Sequence, residues 1–215
     1  MEKLDYKKEY KDLYMPGTEP MLIEVPSMNF IMVQGKGNPN TEGGEYQAAV
    51  QLLYSLSYTI KMSKLGKHPI KGYVEYVVPP LEGLWWMQGI KGVDYSRKED
   101  FEWFSMIRQP EFVTKDVFEW ACQEVKAKKG IDPSKAQWVK FEEGLCVQCM
   151  HKGSYDTEPE TLSKMEEFIK QQKREVDIGT LLQNGMVRHH HEIYLSDPRK
   201  TKAENIRTVL RIPVK

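Results

Sequence analysis

Phe30-Ile31-Met32-Val33-Gln34-Gly35-Lys36-Gly37 and Cys146-Val147-Gln148-Cys149-Met150-His151-Lys152-Gly153 are two apolar runs, each ending on Lys-Gly, and Gly37 and Gly153 stand 116 residues apart. At that offset Thr41 falls on Thr157, and each Thr is followed by Glu. Both copies then enter helical spacing: Tyr46, Ala49, Val50, Leu53 and Leu56 in the first, Leu162, Met165, Phe168 and Ile169 in the second. Thr157 with Glu160 reads as a capping box. A strand pair follows each helix. In the first copy it is Gly72–Val78 and Gly83–Met87; in the second it is Val187–Leu195 and Thr208–Pro213. The chain is thus a duplication of one strand–helix–strand–strand unit. One unit covers only one side of its sheet, so two are expected to pack as a pseudo-symmetric pair.

The expected fold is α+β, a single domain over 1–215. Its parts are an N-terminal extension (1–27), a first repeat (28–90), a helical insert (91–139) and a second repeat (140–215). In the insert, Asp100–Ile107 reads as a short aromatic helix and Thr114–Lys129 as a longer one. Thr114 is its N-cap, Lys126, Lys128 and Lys129 lie in its last turn, and Gly130 is its stop.

Lys+Arg and Asp+Glu both number 31, so the formal net charge is zero, which removes the simplest electrostatic case for direct nucleic-acid binding. No run of 18 apolar residues and no signal-peptide pattern is present, and a cytoplasmic protein without membrane contact is expected. Residues 1–27 are too short for a helix-turn-helix domain. The Cys146/Cys149 pair lies in a strand-like run. Its thiols therefore point to opposite faces and read as ordinary buried residues. His189-His190-His191 offers two groups on one face but no third ligand nearby, so no metal is expected, and no cofactor motif such as GxGxxG or a P-loop occurs.

Alternation along His190-His191-Glu192-Ile193-Tyr194 puts His190, Glu192 and Tyr194 on one face. If that face meets the core, a carboxylate lies beside a phenol and an imidazole and needs partners. At an offset of 117, Glu75 falls on Glu192 and becomes a second candidate, with Tyr76 beside it. Trp85 and Trp86 are adjacent on a strand and must face opposite ways. Trp103, Phe104 and Trp120 add further aromatic surface. Five Trp in 215 residues exceed what packing alone requires, and flat aromatic walls suit planar or cationic ligands.

The duplicated unit, the stretches Met150–Asp156 and Glu192–Arg199, and the Pro79-Pro80-Leu81-Glu82-Gly83-Leu84-Trp85-Trp86 segment together resemble the GyrI-like small-molecule-binding family. The last segment is similar to a stand-alone branch described as cyclopropanoid cyclopropyl hydrolases. The resemblance implies two repeats enclosing an aromatic-lined cavity, with a ligand-contacting Glu that matches Glu192. It implies binding of lipophilic, planar or cationic xenobiotics, and leans toward hydrolytic opening of a cyclopropane ring. In that reading Glu192 holds the water, Tyr194 or Tyr155 donates to the developing oxyanion, and Trp85, Trp86, Trp103, Trp120, Phe104, Tyr76, Glu75 and His190 shape the site. Drug sequestration or a gyrase-modulating role is the alternative, and the chain is expected to be a monomer or homodimer.

Overall fold

A computed structural model describes residues 3–66, 68–90 and 92–215. Lys91, the expected start of the insert, lies outside the described residues, as do Met1, Glu2 and Lys67. Six antiparallel strands close into a barrel: β1 (Met21–Lys36), β2 (Leu81–Trp86), β3 (Glu102–Gln109), β4 (Ala136–Lys152), β5 (His190–Tyr194) and β6 (Arg207–Pro213). Their order is β1-β3-β2-β5-β6-β4, and the long β1–β4 ladder, from Met21↔Gln148 to Val33↔Ala136, closes the ring. That order reads the same from either end once β1, β2 and β3 are exchanged for β4, β5 and β6. A pseudo-twofold axis therefore passes between β2 and β5 on one side and between β1 and β4 on the other. The duplication in the sequence is the origin of this symmetry.

Alternation sorts the strand residues into an inside and an outside. Phe30, Met32, Leu84, Met106, Phe141, Cys146, Ile193 and Val209 fill the barrel. On the outside, Ile31, Val33, Trp103 and Ile107 meet α3 (Glu45–Met62) and α4 (Lys115–Lys129). Val147, Cys149, Leu210 and Ile212 meet α5 (Glu158–Gln171). Helix α3 buries Ala49, Leu52, Leu53, Leu56 and Ile60, a stripe at three- and four-residue spacing. Two short N-terminal helices, α1 (Tyr6–Glu9) and α2 (Lys11–Tyr14), close one barrel end, with Tyr6, Leu13 and Tyr14 buried.

The barrel interior also carries charge. His191 lies between two carboxylates, with Nδ1 2.9 Å from Glu143 Oε2 and Nε2 3.0 Å from Glu82 Oε2. The Tyr14 hydroxyl donates to Glu82 at 3.0 Å, and Arg211 donates to Gln148 at 2.8 Å and to the Leu13 carbonyl. Burial disfavours charge on both, yet the mutual attraction prevails: His191 is raised to about 9 and Glu143 lowered to about 2.

Three sequence expectations need correction. Residues 100–107 do not form a helix: β3 runs from Glu102 to Gln109, with Trp103, Ser105 and Ile107 on one face and Phe104 and Met106 on the other. Gly72–Val78 forms no strand; its one bridge is Tyr76 to Leu4, and the partner of β2 in the first repeat is β3. The expected helical insert is thus reduced to α4, whose caps are as read: Thr114 Oγ1 accepts from Val117 N and Gly130 is left-handed at φ 66°. The Thr157 capping box does not form, because the Thr157 hydroxyl donates to the Ser154 carbonyl at 2.8 Å. Cys146 and Cys149 face opposite sides, into the barrel and toward α5 respectively, and burial pushes the Cys149 thiol up to about 11.

Candidate functional site

Strands β2 and β5 pair in the register Leu81↔Tyr194, Gly83↔Glu192 and Trp85↔His190. Because side chains alternate, these six residues share the outer face of the barrel. There a cleft of about 1190 Å³ opens between the strands, α3 and the start of α5. Glu192 and Tyr194 form part of its lining with Trp85, Tyr46, Tyr54, Tyr95, Phe101, Tyr155 and Glu158.

Glu192 is 7% exposed and compensated on both oxygens. Tyr194 donates to Oε2 at 2.8 Å, and His190 Nε2 lies 3.2 Å from Oε1. Trp85 Nε1–H donates in turn to the Tyr194 oxygen at 2.8 Å. Aromatic contacts hold these groups in place. Tyr46 packs on Trp85 with ring centroids 5.5 Å apart, Phe101 meets Trp85 at 5.7 Å, and Tyr155 stands edge-on to Tyr194 at 6.1 Å. Burial and the Glu192 charge keep Tyr46, Tyr155 and Tyr194 in the phenol form, with Tyr155 pushed up to about 12.

A second carboxylate, Glu158, is fully buried at the start of α5. Tyr95 donates to its Oε2 at 3.1 Å, while Oε1 has no protein partner. Burial, then the charge of Glu192, raises its carboxyl well above the usual range, so it holds its proton more tightly than an ordinary carboxyl. The cleft therefore joins a hydrogen-bonded carboxylate, a buried carboxyl of raised proton affinity and several phenols to flat apolar walls. Such a set can stack a planar molecule, hold a water and supply a proton.

Of the residues expected from sequence, Glu192, Tyr194, Tyr155 and Trp85 line this cleft, and His190 lies buried beside Glu192. The others lie elsewhere. Trp86 faces the opposite side of β2, stacking on His189 at 4.2 Å and donating to Glu102, with Phe104 beside it at 5.3 Å. Trp103 is fully buried behind Tyr46, and Trp120 stacks on His68 from α4. Tyr76 is buried against Phe112, and Glu75 is half-buried in an ion pair with Lys64. Glu75 fails to mirror Glu192 because the segment carrying it is not a barrel strand.

The sequence reading missed Tyr46, Tyr95, Phe101 and Glu158. Tyr46 had a signal, as the first apolar position of α3. Glu158 sits where a helix start ordinarily carries an exposed acid, Tyr95 lies in a stretch without periodicity, and Phe101 lies in the segment expected to be helical. Among the described residues, no group of three or more His, Cys, Asp or Glu is arranged to hold a metal ion. No described helix is long and apolar enough to cross a membrane.

A duplicated barrel with a helix-flanked, aromatic-walled cleft across its central strands defines a small-molecule-binding domain. Residues 18–215 match the model of the GyrI-like small molecule binding domain, and the chain belongs to that family. Among solved structures it is similar to an uncharacterized conserved protein from Listeria innocua, at 47% identity and TM-score 0.89 over 99% of this chain and 100% of that one. It is also similar to a protein from the same organism described as a hydrolase, at 45% identity and TM-score 0.86 with the same coverage. The C-terminal domain of EcmrR shares the fold alone, at 11% identity and TM-score 0.51 over 92% of this chain and 97% of that domain. None of the functionally curated proteins is significantly similar in sequence.

Proposed function

We propose that this protein binds flat, lipophilic xenobiotics in the cleft and hydrolyses them, opening a strained cyclopropane ring by addition of water. The observation that carries the reading is Glu192: a carboxylate hydrogen-bonded on both oxygens, facing an aromatic cleft that also holds the buried carboxyl of Glu158. Similarity over the full chain to a protein described as a hydrolase supports a catalytic outcome.

In this mechanism the planar ring system stacks among Tyr46, Trp85, Phe101 and Tyr155. Glu192 accepts a proton from a water whose oxygen attacks the electrophilic ring carbon. The carbon–oxygen bond forms as the strained carbon–carbon bond breaks, and its electron pair moves into the conjugated ring as a phenolate. Glu158 or Tyr155 delivers a proton to that oxygen, and the carboxyls re-equilibrate with solvent, so the net change is one water added. Ring strain supplies much of the driving force, leaving the protein to orient the reactants and stabilise charge. The three free cysteines fit a reducing compartment, and we infer a cytoplasmic location.

Incubation with a cyclopropane-bearing alkylator, followed by mass spectrometry, tests the proposal. A ring-opened product one water heavier, formed over many turnovers, is expected. Stoichiometric protection of the intact drug would replace hydrolysis with sequestration.

A further inference from the structure

We propose that Gly83 and Trp85 are positioning residues for Glu192, acting through Tyr194: together they lock the single Tyr194 hydroxyl proton onto the Glu192 carboxylate. The inference deepens the hydrolytic reading of Glu192 and rests on it.

The direction of the chain follows from donor chemistry. An indole N–H can only donate, so at 2.8 Å the Tyr194 oxygen must be its acceptor. The hydroxyl has one proton, and Glu192 Oε2, also at 2.8 Å, is an acceptor. The order is therefore Trp85 to Tyr194 to Glu192.

Gly83 makes the close approach possible. It is the register partner of Glu192, and a Cβ there would stand 2.6 Å from Trp85 Nε1 and 3.0 Å from the Tyr194 oxygen. Its backbone is outside the left-handed region, so space rather than conformation requires glycine. One consequence concerns the substrate. With its proton committed to Glu192, Tyr194 is not the group that protonates the opened ring, which leaves that step to Glu158 or Tyr155.

The test has a spectroscopic arm and a kinetic arm. In a nitrogen-15 NMR spectrum the Trp85 indole N–H, assigned by its loss in Trp85→Phe, is expected downfield and slow to exchange. It should move upfield and exchange faster in Tyr194→Phe and in Gly83→Ala. An unmoved resonance in Tyr194→Phe overturns the proposal.

For turnover of a cyclopropane-bearing alkylator, Gly83→Ala is expected to lower kcat about ten-fold with KM little changed. Placed on Tyr194→Phe, the same change should cost no further kcat. A second full loss in that background would show that Gly83 acts otherwise and would also overturn it. Melting temperatures identify a merely unfolded variant, and Tyr194→Phe, nearly isosteric, supplies the decision if Gly83→Ala does not fold. A wild-type protein without turnover defeats the hydrolytic reading alone, and the indole resonance then decides the hydrogen-bond chain.

Discussion

Glu192 and Glu158 illustrate how one cleft can give two carboxyl groups different tasks. Glu192 has donors on both oxygens, whereas Glu158 has one donor, one bare oxygen and a charged neighbour. Replacing Glu192 with Gln should reduce hydrolysis by about 10²-fold or more while a flat fluorescent ligand still binds within a few-fold; single-turnover product analysis beside a fluorescence titration checks both. Glu158 supports proton delivery only while protonated, so the rate should fall as pH rises through its raised value. In Glu158→Gln that alkaline limb should disappear from the pH–rate profile along with most of the rate. At this scale the sequence was partly legible. Simple alternation in β5 set Glu192 and Tyr194 side by side. Trp103, Trp120 and Tyr76 carried the same aromatic signal as Trp85, and only tertiary placement shows that Trp103 and Tyr76 pack inside while Trp120 lies half-buried on α4.

At the level of elements, β3 teaches the most. Asp100–Ile107 carries aromatics so densely that both periods fit it, and its β character comes from the strand partners on either side, β1 and β2. Helix α4 needed no such context, because Thr114 and Gly130 mark its ends locally. Thr114→Ala is expected to cost about 1 kcal/mol in urea denaturation. The β1–β3 contact is tighter. A Cβ at Gly35 would lie 2.2 Å from the Trp103 ring, and that ring is held between Gly35 and Tyr46. Gly35→Ala should therefore destabilise the fold by about 1–3 kcal/mol, read as a lower denaturation midpoint with an unchanged slope.

Across the whole molecule, the charged barrel interior sets the pH range of stability. His191, raised from 6.5 to about 9, contributes fully below pH 6.5 and loses its contribution as pH climbs through 9. Glu143, lowered from 4.5 to about 2, contributes fully above pH 4.5 and loses it as pH falls through 2. These are two views of one interaction and count once. Between pH 6.5 and 9 the loss should be on the order of 3 kcal/mol. Denaturation at a series of pH values should show this slope in Glu158→Gln, where the raised Glu158 carboxyl no longer adds to it, and a much smaller one when His191→Phe is placed on that background. The duplication was legible because repeated residues survive in the text of the chain. The closure of the barrel was not, because it depends on pairing between strands more than a hundred residues apart.

That closing ladder also dictates when the molecule can finish folding. β1 meets β4 over most of its length, and β4 and β5 both meet β6, so the ring is incomplete until the last strand, Arg207–Pro213, has left the ribosome. The first repeat must wait with the β4-facing side of β1 unpaired while the second is made. A chain with this order of synthesis folds late and, by its long-range contacts, in the slower millisecond-to-second regime. Its most aggregation-prone moment is the interval before β4 arrives.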